Sequence, residues 1–97
     1  MTAYLVAQFT VKSPDALASY SKKAAPVIAS FGGELVFKST AGAPLDGENP
    51  HQGIAVFRFP NKESQDGFHA SDSYQALLEE RGDGADMIMT GYLVAAT

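Results

Sequence analysis

Four segments rich in β-branched and aromatic residues alternate with two stretches of helical periodicity in the order β-α-β-β-α-β, and that order constrains the chain more than any other feature. In the first segment, Ala3 to Val11, alternation sends Leu5, Ala7 and Phe9 to one face and Tyr4, Val6, Gln8 and Thr10 to the other. Ser13-Pro14-Asp15 follows. A serine can cap a helix, proline suits its first position, and aspartate meets the positive end of the helix dipole. Leu17, Tyr20, Ala24, Val27, Ile28 and Phe31 then recur at three- and four-residue steps, which predicts one buried stripe that stops at Gly32-Gly33. Pro26 lies inside this helix and predicts a kink, or a break with a second short helix behind it.

Glu34 to Ser39 reads as a second strand, with Leu35 and Phe37 on one face and Glu34, Val36 and Lys38 on the other. Thr40 to Gln52 is polar and rich in turn residues, a long surface loop. Gly53 to Phe59 is a third strand that Pro60 ends, splitting Ala55, Phe57 and Phe59 from Ile54, Val56 and Arg58. Asn61 can cap a short helix to about Ala70. Ser71 or Ser73 can cap another, carrying Tyr74, Leu77, Leu78 and Arg81 and stopping at Gly82. The last strand runs from about Asp86 to Ala95. The whole predicts one domain over residues 1–97, of the α+β, ferredoxin-like kind: a four-stranded antiparallel sheet with its helices on one face. Phe9, Phe37, Phe57 and Phe59 belong under the helices. Tyr4, Val6, Val36, Val56, Ile88, Tyr92 and Val94 then fall on the bare face, too apolar for water, and a second copy of the chain is the natural cover. Sheet against sheet across a two-fold axis gives a homodimeric α/β barrel.

Composition narrows the partners. A net charge of -4 and a pI near 4.9, with the basic residues scattered, argue against nucleic acid and anionic membrane surfaces, which are bound by clustered Lys and Arg. No apolar run approaches the ~18 residues that a membrane span requires. The chain has no cysteine, so disulfides and thiolate chemistry are excluded, and a cytoplasmic location is the expectation.

Several residues coincide with a known family. The Ala3-Tyr4-Leu5-Val6-Ala7 opening, Tyr20 and Pro26, Gly32-Gly33, Phe59-Pro60, then Phe68, Ser71, Tyr74 and Arg81, resemble the bacterial domain-of-unknown-function family thirteen-thirty. The resemblance spans nearly the whole chain. It implies a ferredoxin-like protomer and a homodimer within the dimeric α/β-barrel superfamily, whose members include cofactor-free monooxygenases, muconolactone isomerase and haem-degrading enzymes. Kinship of that breadth carries the fold and not the reaction.

Among the residues able to do chemistry, His69 has an imidazole suited to act as general base if it faces a pocket; otherwise it is a solvent-facing residue near a helix end. Tyr74 and Arg81 lie seven residues apart on about one helix face, where a phenol and a guanidinium can hold a carboxylate or enolate oxygen. Ser71 can offer its hydroxyl to the same ligand. The structural alternative makes Ser71 a cap, Tyr74 a core ring and Arg81 a partner of the helix C-terminus. Arg58 shares the bare face with Val56 and Ile54, so it needs a partner: an intersubunit carboxylate such as Glu34, or an anionic ligand. No His-x-His or His-x-x-x-His spacing suggests a metal, and no phosphate loop, calcium loop or G-x-S-x-G turn suggests a cofactor or a serine nucleophile. The expected function is that of a small homodimer, either a cofactor-independent, monooxygenase- or isomerase-like enzyme on a carbonyl or aromatic metabolite, or a noncatalytic binding or interaction module.

Overall fold

In the computed structural model, which describes residues 1–95, four strands form one antiparallel sheet in the order β2-β3-β1-β4. They are β1 (Thr2–Val11), β2 (Glu34–Ser39), β3 (Gly53–Phe59) and β4 (Ala85–Val94). Residues 96 and 97 of the expected domain lie outside the described residues. The helical segments are α1 (Pro14–Ser30), α2 (Lys62–Ala70), α3 (Asp72–Gln75) and α4 (Leu78–Gly84).

The caps act where the sequence places them. Ser13 Oγ accepts from Ala16 N at 3.3 Å, and Asn61 Oδ1 accepts from Ser64 N at 2.8 Å. At the far end of α1, Gly33 N donates to Ile28 O and Gly32 N to Ala29 O, which closes the helix with Gly32 at φ +82°, a conformation that glycine adopts at no steric cost.

The core lies between helices and sheet. Ala3, Leu5, Ala7 and Phe9 of β1 all turn toward the helices and are buried. Phe59, Phe68 and Tyr74 are fully buried, with ring centroids 5.6 Å apart for Phe59–Phe68 and 4.5 Å for Phe68–Tyr74. Truncating such a ring to alanine costs about 3–5 kcal/mol, so this stack holds α2 and α3 onto the sheet.

The structure corrects three expectations. First, of the kink or break expected at Pro26, the break does not occur: α1 is one 17-residue helix. Pro26 and Lys22, whose carbonyl loses its intrahelical donor, are both exposed, so water can satisfy that oxygen. Second, Phe37 does not lie under the helices. Leu35 pairs with Phe57 but Phe37 pairs with Val56, a bulge that moves Phe37 to the bare face. Val56 falls to 7% exposure there, flanked by Phe37 and Val6, whereas Ile88 and Tyr92 remain 54% and 53% exposed. Third, the helix carrying Tyr74 and Arg81 is divided at Ala76–Leu77 and continues past Gly82 to Gly84. Gly84 ends it because its carbonyl accepts from both Lys12 N and Ser13 N, and a Cβ there would meet Leu17 N at 2.6 Å.

Candidate functional site

Ser71 sets up the first part of the site. Its hydroxyl donates to Phe68 O at 2.8 Å and accepts from Tyr74 N at 3.1 Å, ending α2 and starting α3. Tyr74 is thereby turned inward. Its hydroxyl lies 2.9 Å from the Tyr20 hydroxyl, accepts from Arg81 Nη1 at 2.9 Å and donates to Met89 Sδ at 3.3 Å. With Tyr20 as donor to Tyr74, both phenol hydrogens have an acceptor. Burial, and then the Tyr74 hydroxyl, push the Tyr20 pKa far above the usual tyrosine range, with Arg81 opposing weakly.

Met89 also lines a cleft of about 520 Å³ that opens between α2 and the β1–β4 half of the sheet. Leu5, Met89 and Leu93 supply apolar lining, Gly91 part of the strand wall, and Lys62, Gln65, Asp66 and His69 project from α2. Lys62 and Asp66 form an ion pair one turn apart, and Asp66 holds the Lys62 ammonium above its ordinary pKa. His69 is exposed, its ring 5.6 Å from that of Tyr74, while its carbonyl accepts from Gln75 Nε2 at 2.7 Å. Gln65 is 7% exposed, and its Nε2 has no hydrogen-bond partner among the described residues. An amide left so costs about 1–3 kcal/mol.

Met89 therefore touches both Tyr74 and Arg81 through its sulfur and lines the cleft together with His69. Ser71 is spent on the two helix ends and stands beneath Tyr74. Arg58 is elsewhere, on the bare face of the sheet, donating from Nη2 to Glu34 Oε2 at 2.8 Å within the same chain. Glu34, expected as a carboxylate partner across the dimer, is a direct neighbour of Arg58 in the β2–β3 register, so the pair forms within one chain. Glu34, then Tyr4, raise the pKa of Arg58 above its usual value. Gln65, Gly91 and Met89 were not singled out as site residues from the sequence. Signals existed for two of them: a glutamine on the buried stripe of α2 in step with Phe68, and a glycine inside a strand.

Among the described residues no cluster of three or more His, Cys, Asp or Glu side chains is placed to hold a metal, and no helix is long and apolar enough to cross a membrane.

One antiparallel sheet, helices on a single face and a cleft between the two define a ferredoxin-like α+β protein. The family described as "Domain of unknown function (DUF1330)" matches residues 2–95, and the chain belongs to it. No curated protein sequence matches the chain. Solved structures of the same fold include the RPA0582 protein of unknown function from Rhodopseudomonas palustris, at TM-score 0.79 and 15% identity, covering 99% of this chain and 84% of that one. SnoaB, a cofactor-independent oxygenase from Streptomyces nogalater, superimposes at TM-score 0.70 and 12% identity over 99% of this chain and 95% of its own. A dimeric ferredoxin-like protein of unknown function from Thermobifida fusca does so at 0.63 and 15% over 97% and 92%. At such identities the likeness is one of fold.

Proposed function

We propose that this chain is a bacterial, cytoplasmic homodimer that takes a small carbonyl or aromatic metabolite into the cleft between α2 and β4 and needs no cofactor to do so. The observation that carries this reading is the composition of the cleft: apolar walls from Leu5, Met89 and Leu93, an exposed imidazole from His69, and the Tyr74–Arg81 pair in contact with the Met89 sulfur. As an enzyme of the monooxygenase or isomerase kind, it would use His69 to remove or return a proton beside the ligand's carbonyl. Tyr74 and Arg81 would supply positive potential toward the oxygen as charge develops there, and Ser71 would hold Tyr74 in place. The dimer forms through the bare face, where Phe37, Ile88, Tyr92 and Val94 are about half exposed in the protomer; Arg58 and Glu34 lie on that face, and the cleft opens on the other.

A second reading, a noncatalytic binding module, draws on a specific feature. Tyr74 is fully buried and Arg81 is bonded to it, so both side chains already have protein partners.

The test is a panel of small aromatic ketones, aldehydes and phenols, with binding followed by saturation-transfer NMR and turnover by mass spectrometry. Binding by the wild type, with turnover lost in His69→Ala while binding persists, is the expected result. Binding without turnover selects the module, and no binding overturns both. For the dimer, sedimentation equilibrium should give twice the 10.2 kDa chain mass, with Ile88→Glu reducing it to one chain.

A further inference from the structure

Two local features that weaken a fold coincide at one point of the cleft. Gln65 buries a carboxamide whose Nε2 finds no acceptor among the described residues, although its place on α2 could be filled by any apolar side chain of the same size. Gly91 interrupts a strand with a residue that neither packs nor favours extended backbone. The second explains how the first is accommodated: a Cβ at Gly91 would run into Gln65 Oε1, so the missing side chain is the space in which the carboxamide lies. Gln65 reaches that space from the helix and Gly91 offers it from the sheet, and both line the cleft.

We propose that Gln65 is the ligand anchor of the cleft, with its Nε2 donating to a carbonyl oxygen of the bound molecule and Gly91 keeping room for the amide. This rests on the reading of the cleft as a small-molecule site and adds what it recognises. The terminal torsion of a glutamine is soft, so a half-turn puts NH2 in the place that Oε1 holds beside Gly91, which lines the cleft. The donor is neutral, the neighbouring Lys62 is already paired with Asp66, and the chain carries a net charge of -4. An uncharged acceptor oxygen on an otherwise apolar body therefore fits better than a carboxylate, and Leu5, Met89 and Leu93 receive the apolar part.

The probes are acetophenone, which has the oxygen, and ethylbenzene, which lacks it. Titrated into ¹⁵N-labelled protein, acetophenone should shift the Gln65 side-chain amide signals saturably. Gln65→Met, similar in volume and free of the amide, should weaken acetophenone about tenfold while leaving ethylbenzene unchanged. The same variant should melt at a higher temperature than wild type, because an orphaned donor has been removed. Gly91→Ala, which keeps the amide but takes its space, should also weaken acetophenone selectively. Acetophenone affinity unchanged in both variants would overturn the anchor and leave the small-molecule reading standing. A melting temperature of Gln65→Met at or below wild type would overturn it too, since the amide would then be structural. If neither probe shifts any cleft residue in the wild type, the anchor and the small-molecule reading fall together.

Discussion

Arg81 Nη1 donates to the Tyr74 hydroxyl across 2.9 Å although the two residues sit on separate helices, α4 and α3, with the turn at Ala76 and Leu77 between them. The bond spans that turn and fixes the two short helices to each other, and through Tyr20 to α1. An ion pair joins α1 to α4 directly, from Lys23 Nζ to Glu80 Oε2 at 3.0 Å, and that lysine holds the Glu80 carboxyl below its usual pKa. The exposed pair contributes less than the buried hydroxyls, because water screens it.

Tyr74→Phe keeps the ring and removes the oxygen that three groups share. Arg81 and Tyr20 then lose a partner inside the protein. Urea denaturation should show a loss of about 1–3 kcal/mol, and Tyr20→Phe combined with it should cost less than the sum of the single changes. Strict additivity would mean that the two hydroxyls do not act as a unit.

Tyr20 sets the alkaline limit. Its pKa in the folded chain lies well above the value of about 10 that it takes when unfolded, so between those two values the unfolded state releases a proton that the folded state retains. Stability is therefore whole below about pH 10 and falls as pH rises, by up to about 1.4 kcal/mol per pH unit for this one group. Denaturation curves at increasing pH should fall more steeply for wild type than for Tyr20→Phe. Equal slopes would remove Tyr20 as the cause.

Gly82 and Gly84 should respond oppositely to alanine. Nothing stands within 4 Å of a Cβ at Gly82, inside α4, so Gly82→Ala should stabilise by up to about 1 kcal/mol. At Gly84 the new carbon would press on the Leu17 main chain, and Gly84→Ala should destabilise by about 1–3 kcal/mol as α1 and α4 are forced apart. Thermal melts of the two variants give the comparison directly.

The order of elements and their ends were legible in the sequence because they are encoded by near neighbours. Ser13, Asn61 and Ser71 each bond a backbone N–H three residues ahead, and Gly32 answers to the turn it makes itself. Alternation along β1 likewise placed Leu5, Ala7 and Phe9 in the core. The choice of His69, Tyr74 and Arg81 came from their chemistry, and the contact of Tyr74 and Arg81 with Met89, like the cleft that His69 lines with it, depends on a strand that follows them in the chain.

The tertiary structure decided what local pattern cannot carry. One extra residue in β2 sent Phe37 to the bare face, because side-chain alternation has a period of two and any bulge inverts all that follows. Arg58 took Glu34 from its own chain once the β2–β3 register set them opposite each other. Gln65 and Gly91, 26 positions apart in the sequence, became one notch only when α2 was laid against β4. A capping bond, a turn or an apolar stripe is fixed by residues within a few positions, so the sequence alone determined the order of the elements, most of their ends and the buried faces of β1 and α1. Register, bulges and the pairing of side chains from distant segments depend on how those elements dock, and these placed the cleft and chose the residues around it.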